Sequence, residues 1–493
     1  MSPLKLISPI SSFLINNRPF RRQRSRAVQP ANPEPESDDA HQQATHERWD
    51  FPRINIAKLG AIFWCFLLLG SNDSSYGVLI PQIEEYYGIT YLQVSLIFLS
   101  PVLGFIMSTV SNHAVHLRYG KRGVIIMAGT CHVTAYLVGC FHPPFPVLVV
   151  VYILVGLGSG AKTAAWNSFV GGFNKSNELL GLLHGFYGLG ATITPVTASA
   201  LFSQGWHWYQ VYYVLVAMAA SEFILTLSLF YPQNGKAYRE EIGEFRGQQE
   251  TIVVPLQAMP LGENAGRPPM RRNPSSRVFK AANSFKTSNT WNCLKNRVVL
   301  VCSAFLLAYV GSEVALGGWL VTFMIDVRGG SAFASGLTAS GFWAGITVGR
   351  IILGFVTGRV FKSEKHAVTV YLVCAIIMQL LYWLIPNFIS SAIIVAFLGF
   401  FLGPVFPAVI VCLSRLLPQR MRVSAIGICS AIGASGASVI PFMVGAIAQA
   451  KGVAVLQPII LSVLAVCFLL WLLLPGLPLR TSTVSRHAAE GTI

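Results

Sequence analysis

Residues 58–80 read KLGAIFWCFLLLGSNDSSYGVLI, an apolar run close to the about 20 residues that a helix needs to cross roughly 30 Å of hydrocarbon. The whole chain shares this character, since 53% of its 493 residues are hydrophobic and 11% are charged. A soluble domain carries about 25% charged residues. Charges are scarce here because each costs roughly 2.5–3.5 kcal/mol at the centre of a membrane helix. The sequence therefore predicts a multi-pass membrane protein in a lipid bilayer.

Eleven further apolar runs of similar length follow, so we predict an all-α protein of twelve transmembrane helices. These runs lie at 92–113, 122–141, 146–170, 178–203, 208–231, 297–325, 332–357, 366–386, 391–413, 423–449 and 454–475. The predicted domains are a disordered cytosolic N-terminal tail (1–57), a first six-helix half (58–231), a cytosolic central loop (232–296), a second six-helix half (297–475) and a cytosolic C-terminal tail (476–493).

The net charge of +16 is distributed unevenly along the chain. Basic residues concentrate in the N-terminal tail, the central loop and every second short loop, whereas the alternate loops are nearly bare of them. Positive charge marks the cytosolic side of a membrane protein, so both termini are predicted to be cytosolic. We interpret the basicity as this topology signal and expect no nucleic-acid partner. The plasma membrane is the expected location, with the vacuolar membrane as the alternative.

The two halves carry matching residues in the same order. At an offset of 241 positions, Gly70 falls on Gly311 and Asn72 on Glu313. At an offset of 246, Gly190 falls on Gly436. Such matches indicate two homologous six-helix halves. Halves of this kind, with a substrate held between them near the midplane, are a transporter architecture.

The loop between the second and third runs reads HAVHLRYGKR at 113–122. It resembles the signature G-x-x-x-D-R-x-G-R/K-R/K of the major facilitator superfamily. The matching residues are Arg118, Gly120, Lys121 and Arg122. Leu117 stands where the signature has an acid, and Arg359 repeats the position of Arg118 in the second half. The resemblance implies the major facilitator fold and a gating role for these loops, with Arg350 near the same gate.

Within that superfamily, the chain resembles the fucose–proton symporter branch and its fungal relatives. The segments that carry this resemblance are 70–81, 156–167 and 311–320. Lys162 and Thr163 stand where members of the branch often keep an acid. The resemblance implies alternating access around a site lined by the first, fourth, fifth, seventh, eighth, tenth and eleventh helices.

Ionisable side chains inside the spans are candidates for coupling or substrate binding, because charge is costly in hydrocarbon. Asp73, beside Asn72, could take up and release a proton in a low-dielectric setting. Glu313 lies in the middle of the seventh span and repeats the position of Asn72. His184 could relay protons or could be a packing residue. Glu222 is a weaker candidate of the same kind.

Lys162 is the most unusual intramembrane residue. Facing a cavity, it could bind an anionic group or pair with Asp73 or Glu313; the alternative is that it snorkels to the cytosolic side. Arg350 could contact substrate or form a structural ion pair. The residues expected to line the cavity are Trp166, Asn167, Tyr187, Tyr309, Trp319 and Trp343. Aromatic residues at such positions also serve packing or the interfacial belt.

These features predict a monomeric secondary active transporter that moves a small organic solute by alternating access, with protons as the coupling ion. Export of a specialised, anionic metabolite is the alternative suggested by Lys162. A non-transporting membrane sensor is the alternative from another class. No enzyme is expected, because no catalytic pair or metal triad is evident. The 9 cysteines are scattered, so neither a metal nor a cofactor is expected.

Overall fold

The computed structural model describes residues 48–240, 295–361 and 363–475. The predicted N-terminal tail before residue 48, the central loop from 241 to 294 and the C-terminal tail from 476 lie outside the described residues. The described chain is almost entirely helical, which confirms the all-α, multi-pass class.

The helices of the first half are α1 (Ile54–Tyr87), α2 (Tyr91–Val94), α3 (Leu96–Cys140), α4 (Phe145–Gly171), α5 (Ser176–Ser203) and α6 (Val211–Phe230). Those of the second half are α7 (Arg297–Asp326), α8 (Ala332–Val360), α9 (Glu364–Leu384), α10 (Phe388–Leu402), α11 (Val405–Leu416), α12 (Gln419–Lys451) and α13 (Leu456–Leu472). Short 3-10 turns at Trp208–Gln210 and Val453–Val455 precede α6 and α13.

Eleven helical segments of the described residues are long and apolar enough to cross a membrane. One of them, Tyr91–Cys140, is 50 residues long and contains the second predicted span and all but the last residue of the third. Gly120 interrupts it with φ 71° and ψ −163°, which is not a helical conformation. A residue with a Cβ rarely adopts such a positive φ, so glycine is suited to this turn. Two predicted spans thus meet at Gly120 within one segment.

Glycines that match between the halves make equivalent helix contacts. A Cβ on Gly70 of α1 would overlap the Tyr187 carbonyl of α5, and one on Gly190 of α5 would overlap the Leu67 carbonyl of α1. In the second half, a Cβ on Gly436 of α12 would likewise overlap the Leu307 carbonyl of α7. Small residues allow membrane helices to approach this closely. The shared packing of α1 on α5 and of α7 on α12 supports the repeat seen in the sequence.

The halves touch each other mainly at one end of the bundle, which we call the closed end. There the Tyr91 hydroxyl donates a 2.8 Å hydrogen bond to Asp326, and the Val196 amide donates one of 2.9 Å to Ser340. At the same end, a Cβ on Gly77 would overlap the Gly317 carbonyl of the other half.

Candidate transport cavity

A cavity of about 350 Å³ lies between the halves. It lies closer to the opposite end of the bundle than the contacts of the closed end do. Its volume is within the range of small-molecule sites. The walls come from α1, α3, α4 and α5 of the first half and from α7, α8, α11 and α12 of the second. Its aromatic side chains are Phe66, Tyr76, Phe98, Phe105, Tyr187, Trp343 and Phe406.

Asp73 lies on the cavity wall, deep among the helices but exposed to the cavity itself. The Tyr187 hydroxyl donates to it over 2.7 Å, and the Asn72 amide donates over 2.9 Å. Asn72 is held in turn by the Tyr136 hydroxyl, which donates to its carbonyl oxygen over 3.0 Å. Among the described residues, no basic side chain forms an ion pair with Asp73. Within the described part of the chain, an ionised Asp73 therefore has no counter-charge.

The second half contributes an ion pair to the same cavity. Arg350 of α8 donates a 3.0 Å hydrogen bond to Glu313 of α7, and its Nε donates to the Gly403 carbonyl over 3.3 Å. The side chains of Arg350 and Glu313 are 21% and 8% exposed. The sequence repeat explains the location of Glu313, because Asn72, its equivalent, also lies on the wall. The pair is electrically neutral, so Asp73 decides the net charge of the cavity.

Lys162 does not line this cavity. Its ammonium lies 2.5 Å from the Glu222 carboxylate of α6 and 3.2 Å from His132 Nδ1 of α3. The side chains of Lys162 and Glu222 are 2% and 1% exposed. The sequence analysis considered Asp73 and Glu313 as partners and snorkelling as the alternative; the structure corrects both, because Glu222 neutralises the lysine in the protein interior.

The six predicted lining residues divide into two groups. Tyr187 and Trp343 lie on the cavity wall, as does His184, the predicted coupling or packing residue. The Trp343 indole N–H has no hydrogen-bond partner among the described residues. The residues that pack elsewhere are Trp166, Asn167, Tyr309 and Trp319. Three of these are buried, and Asn167 donates a hydrogen bond to the carbonyl of Thr163, one turn earlier. The expectation that these four line the cavity is not met.

Several packing contacts explain why those residues turn away. Trp166 packs on Phe230 of α6 with ring centroids 4.9 Å apart. Tyr309 donates to the Leu402 carbonyl, and Trp319 donates to the Pro441 carbonyl. The sequence analysis missed the wall residues Phe98, Phe105 and Phe406, because an apolar side chain that faces a cavity has the same pattern as one that faces lipid.

The signature loop packs against the start of the central loop. The Arg122 amide donates to the Gln233 carbonyl over 3.1 Å, and Arg239 donates to the Leu117 carbonyl over 2.7 Å. Basic side chains of the signature loop, and Arg359 of its repeat in the second half, lie over aromatic rings at distances expected for cation–π contacts. These pairs are Arg118 on Tyr119, Lys121 on Phe169, Arg122 on Tyr231 and Arg359 on Phe355. Each signature cation thus lies beside an aromatic ring, in a loop where Leu117 replaces the acid of the signature.

A cavity lined by helices of two repeated halves of a membrane-spanning bundle is typical of a transporter fold. The sequence profile of the Major Facilitator Superfamily matches residues 62–441. The chain therefore belongs to the major facilitator superfamily, and it is a secondary transporter rather than an enzyme. The superfamily predicted from the signature loop is confirmed, whereas the fucose–proton symporter branch stays a prediction.

Two curated relatives are similar over most of the chain. "Bypass of stop codon protein 6" of Saccharomyces cerevisiae is 28% identical over 438 residues, which cover 86% of this chain and 84% of the relative. The "Glucose/mannose transporter GlcP" of Bacillus subtilis is 23% identical over 382 residues, which cover 77% and 85%.

Two solved structures share the fold at 13% sequence identity. One is a bacterial homolog of the human lysosomal transporter Spinster, in an inward-facing and unoccupied conformation, with a TM-score of 0.58 over 86% of this chain and 97% of that one. The other is a POT family transporter in complex with 5-aminolevulinic acid, with a TM-score of 0.59 over 84% and 94%. Such likeness shows the fold alone.

Proposed function

We propose that this chain is a proton-coupled transporter of a small organic solute and that Asp73 is its proton-binding group. The uncompensated charge of Asp73 on the cavity wall supports this assignment. An ionised carboxylate without a cation is costly inside a membrane, so the group favours a proton or a bound solute. One proton charge moved through 100 mV supplies about 2.3 kcal/mol, or roughly fifty-fold accumulation.

The contacts of Asp73 suggest how protonation reaches the moving parts. Tyr187, which bonds to Asp73, lies on α5 one residue before Gly188. A Cβ on Gly188 would overlap Thr347 of α8, in the other half. A change in the bond between Tyr187 and Asp73 therefore acts on a helix that touches the opposite half. Alternating access would follow as the closed end opens and the other end closes.

The topology assigns a side to this state. If the basic loops are cytosolic, the cavity lies on the cytosolic side of the closed end, which corresponds to an inward-facing transporter. The Spinster homolog with this fold is also inward-facing. We propose the plasma membrane as the site of action.

A hydroxylated solute is one candidate substrate, because GlcP is described as a glucose and mannose transporter. Aromatic rings and small hydroxyls on the wall, such as Ser159, Thr163 and Ser438, are compatible with it. The alternative of an anionic metabolite depended on a lysine in the cavity. Lys162 is paired with Glu222 outside the cavity, so no specific observation now favours that alternative.

Proteoliposomes that contain the full-length protein test the coupling. Wild type and Asp73→Asn are compared for gradient-driven accumulation and for counterflow, with labelled sugars, polyols, amines and organic acids. We expect Asp73→Asn to lose accumulation of every solute but to keep counterflow of a solute that does not itself bind Asp73, because exchange of one solute for another needs no net proton movement. The control is Glu85→Gln, which removes an exposed carboxylate of α1 that lies outside the cavity. Unchanged accumulation in Asp73→Asn would refute the assignment.

A further inference from the structure

The charge balance of the cavity restricts the kind of substrate that fits it. Its wall carries three charged side chains among the described residues: Asp73, Glu313 and Arg350. Glu313 and Arg350 neutralise each other over 3.0 Å. With Asp73 ionised, the wall therefore has a net charge of one negative unit. Lys162, an intramembrane cation of the first half, lies outside the wall and is neutralised by Glu222.

The aromatic lining adds a second preference of the same sign. Seven aromatic side chains surround the cavity, and the face of an aromatic ring attracts a cation through its quadrupole. The attraction is strongest when the cation has lost its water, as it does in an enclosed site. Asp73 supplies the charge, and the rings can surround the apolar groups attached to a substituted ammonium.

Trp343 of α8 contributes an aromatic ring to the wall on the side of the second half. It is 4% exposed, and a Cβ on Gly317 of α7 would overlap its indole ring. Asp73 on α1 and Trp343 on α8 belong to different halves. A substituted ammonium bound between the carboxylate and this ring would bridge the two halves.

Resting on the proton-coupled function proposed above, we infer that the substrate is an organic cation, a substituted ammonium with an apolar body, which competes with the proton for Asp73. The proton and the cation exclude each other from one carboxylate. Each therefore leaves when the other binds, and the net reaction is exchange of one proton for one cation across the membrane. No bond other than the O–H bond of Asp73 forms or breaks.

Anionic and neutral polyol substrates fit this cavity less well than a cation does. An anion would have to displace Glu313 from Arg350, which would leave Glu313 and Asp73 as two uncompensated carboxylates. A polyol would find small hydroxyls on the wall, such as Ser159, Thr163 and Ser438, but it would leave the charge of Asp73 without a counter-ion. The Asn72 side-chain amide, which has both donors and an acceptor, is already bonded to Asp73, Tyr76 and Tyr136.

Several ionisable groups surround Asp73 and bear on its competition with protons. They are Tyr76 on α1, Tyr136 on α3, Tyr187 and His184 on α5, and, on the far wall, Glu313 on α7 and Arg350 on α8. His184 is the one among these six whose side-chain type ordinarily changes protonation near neutral pH. A His184→Gln variant separates its contribution from that of Asp73.

Three probes of similar shape and different charge test the inference. They are benzyltrimethylammonium, the neutral 2-methyl-1-phenylpropan-2-ol and the anion phenylacetate, and glucose is added as a polyol. Binding of each to the purified full-length protein in lipid nanodiscs is measured on both sides of neutral pH. We expect the cation to bind roughly tenfold or more tightly than the alcohol, and Asp73→Asn to remove that difference. Acidic pH should weaken binding of the cation alone, in wild type and in His184→Gln.

Each other outcome overturns the inference in a recognisable way. Tighter binding of the alcohol or glucose than of the cation would assign a neutral substrate. Tight binding of phenylacetate would assign an anion and indicate Arg350 as its partner. Cation binding that is unchanged in Asp73→Asn would reject the carboxylate site. In each case, accumulation that still depends on Asp73 for some solute of the liposome panel would leave the proton-coupled function standing, so the two failures can be told apart.

Discussion

Two ion pairs inside the membrane region of this protein differ in their access to solvent. In the first half, Lys162 and Glu222 lie 2.5 Å apart with side chains 2% and 1% exposed. In the second half, Arg350 and Glu313 lie 3.0 Å apart with side chains 21% and 8% exposed, on the wall of the cavity. An intramembrane charge is therefore not by itself evidence of a transport site. Contact with the cavity distinguishes the Arg350 pair from the Lys162 pair. Asp73 differs from both pairs because it has no counter-charge among the described residues.

The largest effect is expected from breaking the enclosed pair. Glu222→Gln leaves the Lys162 ammonium buried without a counter-ion, which should destabilise the protein by about 3–5 kcal/mol. Thermal unfolding of the purified protein in nanodiscs would show this as a large fall in Tm. The double variant Lys162→Met with Glu222→Leu removes both charges and should recover most of the loss. Single variants as stable as wild type would show that the pair is not enclosed.

A smaller effect is expected from breaking the cavity pair. Glu313→Gln leaves Arg350 with its bond to the Gly403 carbonyl and with access to water in the cavity. We expect destabilisation of about 1–2 kcal/mol, clearly less than for Glu222→Gln in the same unfolding assay. Equal losses for the two variants would remove the distinction between the enclosed and the exposed pair.

The smallest effect is expected at the closed end. Tyr91→Phe removes the hydrogen bond to Asp326 that joins the halves. Its loss should shift the equilibrium towards the conformation in which this end is open, by about 1 kcal/mol or roughly fivefold. A maleimide reaction at Ser199→Cys, which packs against Gly336 of the other half, reports this opening.

Tyr86→Phe is the matched control for this experiment, because the Tyr86 hydroxyl bonds to His142 within the first half. The labelling rate should rise in Tyr91→Phe and stay at the wild-type value in Tyr86→Phe. Equal rates in both variants would mean that the bond between Tyr91 and Asp326 does not hold the halves together.

The sequence predicted the spans and the wall positions that follow from the repeat. Charge scarcity and run length predicted the membrane helices, and Asn72 and Glu313, which match in the repeat and were candidates for coupling or substrate binding, both lie on the wall. The sequence could not orient Lys162, because helical spacing shows which residues share a face and not what that face meets. Its partner Glu222 lies 60 residues later, on a helix whose neighbour is decided by tertiary packing. Trp319 was misplaced for the same reason.

The most direct test is proton movement evoked by solute in liposomes that contain four proteins: wild type, Asp73→Asn, Glu313→Gln and the double variant Lys162→Met with Glu222→Leu. A transported solute from the panel is added, and a pH-sensitive dye inside the vesicles records the flux. We predict that Asp73→Asn abolishes the proton movement, whereas the other two variants keep it at a changed rate. Proton movement that persists in Asp73→Asn and vanishes in Glu313→Gln would contradict the account and assign the coupling to the Arg350 pair.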